Sequence, residues 1–255
     1  MAHEIDYKIF GDDLQLIEIE LDPGEGVRAE VGGMTYMEKD IEMQTGTGGG
    51  IMKGLMRAFT GESFFITSFT NRGQGKSHVA FAAPYPGKII PLHLGQLGGK
   101  FICQKDSFLC AAQGTEIEVA FTKRLGAGLF GGEGFILQRL TGDGYVFVNA
   151  GGTIIEKDLA AGEVLRVDTG CLVAFSPSVD YDIQFVGGFK NVLFGGEGLF
   201  LAKMTGPGKV YLQSLPLSRL ADRILAAARF RQTDEKKGVA GLGGDILGNI
   251  LSGNS

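Results

Sequence analysis

A hydrophobic stretch framed by glycines recurs three times in this chain, and no other feature limits its fold so tightly. Residues 130–142 read FGGEGFILQRLTG, residues 194–206 read FGGEGLFLAKMTG, and residues 59–70 read FTGESFFITSFT. The three align without a gap. Phe59, Phe130 and Phe194 correspond, as do Gly61, Gly132 and Gly196, then Glu62, Glu133 and Glu197, and finally Thr70, Thr141 and Thr205. Self-similarity of this kind marks one supersecondary unit used several times, each copy too small to bury its apolar face alone.

The likeness extends to both sides of the motif. Upstream, LDPGEGVRAEVGGM at 21–34 resembles LAAGEVLRVDTGC at 159–171, and LGGKFICQKDSF at 97–108 takes that place in the middle copy. Downstream, each copy has a glycine-rich turn (NRGQGK, GDG, GPG) and then a short apolar run (HVAFAAP, YVFVNAG, KVYLQSLP). That is the turn-and-strand pattern of a β-hairpin, so each unit is expected to end in one. Apolar residues inside the copies alternate with period two, as at Tyr181, Ile183 and Phe185, and both faces of 64–69 carry phenylalanine, which predicts a strand covered on two sides. Glycine supplies 42 of 255 residues, more than twice the usual share of about 7%, as many turns between many strands require. The sequence therefore predicts a single all-β domain over residues 1–216. Its three internal β repeats, near 14–84, 89–151 and 153–216, are expected in a pseudo-threefold arrangement.

Three stretches depart from the strand pattern. Residues 45–59, TGTGGGIMKGLMRAF, carry helical spacing after a glycine hinge and predict a short helix or a mobile loop. Residues 217–230, LSRLADRILAAARF, place Leu217, Leu220, Ile224 and Ala228 on one helical face. A polar break at 231–238 precedes a glycine-rich tail in which Leu242, Ile246, Leu247, Ile250 and Leu251 share one face, although Gly243, Gly244 and Gly248 each oppose a helix by nearly 1 kcal/mol. Those five side chains are candidate contacts for a partner, a second copy or a membrane surface.

Chemistry is sparse. A glutamate that recurs at one place in three repeats answers a geometric demand each repeat makes, namely a carboxylate capping backbone N–H groups beside glycines at positive φ. Phe59, Gly61 and Glu62, with Phe130, Gly132, Glu133, Phe194, Gly196 and Glu197, are thus read as structural residues. GQGKS at 73–77 nearly makes a phosphate loop, but Thr70 replaces its first glycine and a strand follows, which denies an anion the N–H donors of a helix start. His3, His78 and His93 lie in separate segments without metal-ligand spacing, and no serine sits in a nucleophile elbow. Cys103, Cys110 and Cys171 read as small apolar strand residues of a reducing compartment. No catalytic residue, cofactor or metal is predicted. The net charge of −5 without a basic run argues against a phosphate-tracking surface, so no nucleic-acid partner is expected. MAHEIDYKIF lacks the charged and apolar regions of a secretory signal, and no apolar run approaches the ~20 residues of a membrane span, which predicts a cytoplasmic protein.

GGGIMKGLMRAFTGESFF at 48–65, the repeated FGGEG and PGKIIPLHL at 86–94 together resemble a family of bacterial uncharacterised proteins. That family is related to a mitochondrial biogenesis protein of the altered-inheritance-of-mitochondria group, and the resemblance runs to about residue 228. It implies a β fold similar to that of the tryptophan RNA-binding attenuator protein, with β-helix or barrel-like sheets and internal pseudo-symmetry. The mitochondrial members are associated with inner-membrane organisation, and the family supplies no catalytic residues. The attenuator protein binds RNA through a basic ring that this chain does not match, so RNA binding does not follow from the fold. A non-enzymatic binding or scaffold protein is expected, forming a homo-oligomer, with a protein partner and peripheral membrane contact. A small-molecule-binding β-barrel enzyme and an RNA-binding protein stand as alternatives. With 44% apolar residues and a positive mean hydropathy, the composition favours self-association.

Overall fold

The computed structural model of the chain describes residues 1–45, 66–123, 134–186, 199–225 and 227. The motif residues Phe59, Gly61, Glu62, Phe130, Gly132, Glu133, Phe194, Gly196 and Glu197 lie outside the described residues. Of the helix or loop expected over 45–59, Thr45 ends a strand and the rest lies outside the described residues, as do the tail residues Leu242, Ile246, Leu247, Ile250 and Leu251. The chain divides into two compact units, Met1–Pro216 and Leu217–Ser255. In the second, residues 217–225 are helical. The first is built of β-strands.

An N-terminal strand β1 (Asp6–Phe10) comes first. Then follow β2 (Leu16–Leu21), β3 (Gly26–Glu30), β4 (Met34–Met37), β5 (Ile41–Thr45), β6 (Ile66–Asn71) and β7 (Ser77–Ala82). The next six are β8 (Gly87–His93), β9 (Lys100–Gln104), β10 (Phe108–Ala112), β11 (Glu116–Lys123), β12 (Phe135–Thr141) and β13 (Tyr145–Gly151). The last six are β14 (Ile154–Leu159), β15 (Val164–Asp168), β16 (Leu172–Phe175), β17 (Asp180–Val186), β18 (Leu199–Thr205) and β19 (Gly208–Gln213). The motif strands β6, β12 and β18 carry Thr70, Thr141 and Thr205 near their ends.

Hydrogen bonding sorts these strands into four antiparallel sheets, ordered β1-β2-β7-β4, β5-β6-β3-β10-β13-β8, β11-β12-β9-β16-β19-β14 and β15-β18-β17. One pairing scheme recurs in them. The first, last and third strands of a run lie together as β2-β7-β4, β8-β13-β10 and β14-β19-β16, while the second, fifth and fourth lie together as β3-β6-β5, β9-β12-β11 and β15-β18-β17. Even the irregularities correspond: register slips by one residue between Met34 and Tyr36, between Phe108 and Cys110, and between Leu172 and Ala174. Each slip is a β-bulge directly after a short 3-10 turn, at Val31–Gly33, Lys105–Ser107 and Thr169–Cys171. Cys171 thus ends a turn, whereas a strand was expected to hold it.

The hairpins expected at the end of each run do not form. β6 pairs with β3 and β5, while β7 pairs with β2 and β4, so the glycine-rich turn carries the chain from one sheet into another. The same holds for β12 and β13 and for β18 and β19. The physical reason is burial. Every residue of β13 except half-buried Tyr145 is buried, and a strand so enclosed needs a neighbour on each edge and cover on each face, which a two-stranded hairpin cannot give.

Two joints make the large sheets continuous. β10 pairs with β3 through Cys110↔Ala29, Ala111↔Arg28 and Ala112↔Val27, and β16 pairs with β9 through Ala174↔Cys103 and Phe175↔Ile102. Three apolar cores separate the four sheets in order. Ile17, Ile19, Leu21, Val79 and Phe81 meet Val27, Phe69 and Phe147 in the first. Ile90, Val146 and Val148 meet Phe101, Cys103 and Leu140 in the second. Leu137, Phe175 and Val210 meet Ile183, Ala202 and Met204 in the third. Both large sheets are covered on two faces, and small residues fill much of their joints, as Ala29, Ala111 and Ala112 do in the first and Ala174 in the second. Cys103 and Cys110 fill that role as small hydrophobes, fully buried, and burial pushes both thiols well above the ordinary range. Native protein treated with a maleimide should therefore leave Cys103 and Cys110 unmodified, as peptide mapping would show, and labelling of either in folded protein would contradict this packing.

The turn between β18 and β19 has little room. Gly208 holds φ +143°, and a Cβ there would stand 2.6 Å from Ser178 Oγ and 2.8 Å from Val179 Cγ2. An L side chain meets both the disfavoured backbone and the clash. Gly208→Ala is expected to lower unfolding free energy by about 1–3 kcal/mol in urea titration, the range for a residue forced into a sparsely populated backbone region.

Candidate functional site

The outer face of β1-β2-β7-β4 concentrates the titratable groups that the fold brings together. Strict alternation in β2 turns Ile17, Ile19 and Leu21 into the core and leaves Glu18 and Glu20 outward. Antiparallel register then lines up rungs across the sheet. Asp6, Glu20 and His78 form one rung, and Lys8, Glu18, Ala80 and Tyr36 form the next.

His78 is the centre. Its Nδ1 lies 3.2 Å from Glu38 Oε2 and its Nε2 lies 3.3 Å from Glu20 Oε2. Glu38 also accepts from the His78 backbone N–H at 2.8 Å and from Ser77 Oγ at 3.0 Å. Only the imidazolium can donate from both ring nitrogens at once. Burial works against the charge, but hydrogen bonds and charge from Glu38, joined by Glu20, outweigh it and hold the His78 pKa above its ordinary value. Glu38 is lowered by the His78 backbone and ring donors, and Glu20 is lowered first by its hydrogen bond from Lys76. Tyr36 donates its hydroxyl to Glu18, which pushes the phenol up to about 12 and keeps it protonated. These groups fasten the edge strand β4 to β7 and β2 rather than presenting a nucleophile beside a base.

The equivalent rung in the later strands takes other forms. Lys209, opposite Asp158, pairs with Glu156 and lies 3.5 Å from Asp158. Tyr145, opposite His93, meets its ring edge-on at 4.7 Å. His93 is half-buried at the end of β8. One corresponding position is thus filled by charged groups on the first and third sheets and by aromatics on the second, as a structural position can be.

Beside the rung lies a recess of about 190 Å³ lined by Glu4, Ile5, Asp6, Glu20, Asp22 and Glu25. Glu25 is already engaged, accepting the Asp22 N–H at 2.9 Å, and Glu163 accepts the Ala160 N–H at 2.9 Å in the matching turn. These two glutamates cap backbone N–H groups of turns, the role expected also of Glu62, Glu133 and Glu197, which lie outside the described residues. The signal was present in the alignment of LDPGEG with LAAGE. The GQGKS segment is a turn. Asn71 Nδ2 donates to Gly75 O at 2.7 Å, Gly73 N–H donates to Asn71 Oδ1 at 2.9 Å, and Lys76 pairs with Glu20. Among the described residues no cluster of His, Cys, Asp and Glu side chains is arranged to hold a metal ion, and no helix is long and apolar enough to cross a membrane. The His78 site itself escaped sequence reasoning, because Glu20, Glu38 and His78 lie far apart in the chain and meet only through the register of β2 with β7 and of β4 with β7.

The sequence profile of the mitochondrial biogenesis AIM24 family matches residues 7–215, nearly the whole of the β unit. The chain belongs to that family. An uncharacterised protein of Streptococcus pyogenes serotype M6 is 34% identical to it over 215 residues, spanning 81% of this chain and 84% of the relative. A crystal structure of a Streptococcus pyogenes protein, SPYM3_0169, superposes with a TM-score of 0.71 at 27% identity, covering 88% of this chain and all of that one. The layered β unit is thus an AIM24 fold, and the His78 rung stands on its first sheet.

A histidine raised above its unfolded value adds stability that is complete below the unfolded pKa of about 6.5 and disappears as pH rises through the folded value. The melting temperature of this AIM24 protein should therefore fall between about pH 6.5 and the folded pKa of His78, and His78→Gln should flatten that step. Proton NMR titration of the His78 ring checks the cause directly, and a pKa at or below about 6.5 would sink the explanation.

Proposed function

We propose that this AIM24-family chain is a non-enzymatic binding or scaffold protein of the cytoplasm that assembles with copies of itself. The observation that carries the reading is the joining of successive strand groups edge to edge, through β3–β10 and β9–β16, into sheets longer than any one group could make. Such a body offers extended, hydrogen-bonding surfaces. Its titratable groups on the first sheet, His78, Glu20, Glu38, Lys76, Tyr36 and Glu18, are engaged with one another. In the same reading the three strand groups stand about an approximate threefold axis, which the recurring pairing scheme supports. The tail residues Leu242, Ile246, Leu247, Ile250 and Leu251 make peripheral contact with a partner or a membrane surface, as their shared face supports. Carboxylates around the recess give the first sheet an acidic character that repels phosphate backbones.

Sedimentation equilibrium on the full chain tests the reading, with a mass above the 27.1 kDa of one chain expected at micromolar concentration. A monomer at all concentrations would refute it. Flotation with anionic and with neutral vesicles tests the tail separately: binding is expected to vanish on removal of residues 239–255, and unchanged binding would place the contact elsewhere.

A further inference from the structure

We propose that β4 of one copy pairs edge to edge with β15 of a second copy, continuing across molecules the joint that the chain makes twice within itself. This rests on the self-association reading above and names its surface.

The recurring scheme has two internal joints, and each links a strand of the β3, β9, β15 class to one of the β4, β10, β16 class. β3 takes β10 and β9 takes β16. The remaining members are β15 and β4, each the last strand of its sheet among the described residues. One offers the edge that the other would accept.

Burial shows that β4 is an interior strand without its neighbour. After the shared bulge, Tyr36 corresponds to Cys110 and Ala174, and Met37 corresponds to Ala111 and Phe175. All four counterparts are 0% exposed, whereas Tyr36 is 41% and Met37 40% exposed. Met37 stands opposite Val79, a residue of the first core, so its side chain is directed to the core side and is uncovered at the edge. On β15, Val164 is 46% exposed. The bulge and the shortness of β4 are devices that elsewhere discourage edge pairing. Here they do not, because β10 and β16 carry the same bulge and pair nonetheless. The larger Tyr36 and Met37 fit where Cys110 and Ala111 stand in the internal joint, since among the described residues the first and last sheets carry a core on one face only.

Register follows from the internal joints. Thr70, Thr141 and Thr205 stand opposite Gly26, Lys100 and Val164, so Ala29, Cys103 and Val167 are equivalent. Cys110 faces Ala29 and Ala174 faces Cys103, which places Tyr36 opposite Val167 and Met37 opposite Arg166 of the second copy. Arg166 corresponds to Arg28, whose Nη1 reaches across the first joint to Thr115 O at 3.0 Å. Thr115 corresponds to Ile41, because Glu116 and Glu42 face Thr141 and Thr70. The Arg166 guanidinium of the second copy therefore donates to the Ile41 carbonyl of the first. An interface between two different edges is heterologous, and it closes into a ring or continues as a chain of molecules.

Directly opposed strand residues have Cβ atoms about 4.5–5.5 Å apart, close enough for a disulfide after slight adjustment. In a Cys171→Ser background, Met37→Cys and Arg166→Cys are prepared separately and then mixed under mild oxidation. A band at twice the 27.1 kDa chain mass is expected in the mixture and not in either variant alone. Both substitutions in one chain should give a ladder of higher multiples. Cross-linking of Met37→Cys alone to the level of the mixture would show like edges meeting and overturn the proposal. So would a cross-link confined to single chains of the double variant, which would mean closure within one molecule. If sedimentation shows assembly while the mixture gives no cross-link, self-association stands and this surface is wrong. A protein that sediments only as a monomer removes both.

Discussion

The rest of the structure depends on backbone hydrogen bonds shared across the two joints, β3 with β10 and β9 with β16. Neither partner in a joint can satisfy its edge without the other, and a buried edge left open costs free energy for every N–H and C=O withheld from water. The joints fix what sits around them. Cys110, Ala29, Ala111, Ala112, Cys103 and Ala174 are small because cores press on both faces of the sheets there. The flanking groups tighten the first joint further: Gln113 N–H donates to Gly26 O at 2.9 Å, and Gly26 N–H donates to His3 Nδ1 at 2.9 Å.

Much of this order was legible in the residues, and the part that was not has a definable cause. Repetition of FGGEG and of the flanking turns identified strands β6, β12 and β18 and the groups around them, since a period-two pattern and turn glycines are local signals. Turn chemistry also marked where the chain reverses. It did not say which sheet receives the next strand, so GDG and GPG read as hairpin turns although the strands they connect belong to different ladders. That choice is made by burial on both faces of β13 and its counterparts, a property of the assembled core rather than of any short window.

The charged rung shows the same limit from the side of chemistry. Each of Glu20, Glu38 and His78 is unremarkable where it stands in the chain, and their spacing matches no ligand or catalytic pattern. They meet because β7 lies between β2 and β4, an arrangement visible only after non-sequential strands are paired. Capping by Glu25 and Glu163 was closer to the surface of the sequence, since both occupy one position in an aligned turn. Glu62, Glu133 and Glu197, to which the same role was assigned, lie outside the described residues.

Ala2 and His3 belong to the first joint's neighbourhood. Ala2 N–H donates to Asp143 Oδ1 across 141 positions of sequence, and His3 N–H donates to Gln113 O. Their partners are synthesised long after they are, so this corner of the second sheet cannot be laced shut until β13 has been made. Contacts so distant in sequence carry a large loop-closure cost before they return any stability, which slows folding. In a growing chain β3 waits with an open edge until β10 arrives. That interval, between the making of the two strands, is when this β body is most exposed to pairing with the wrong chain.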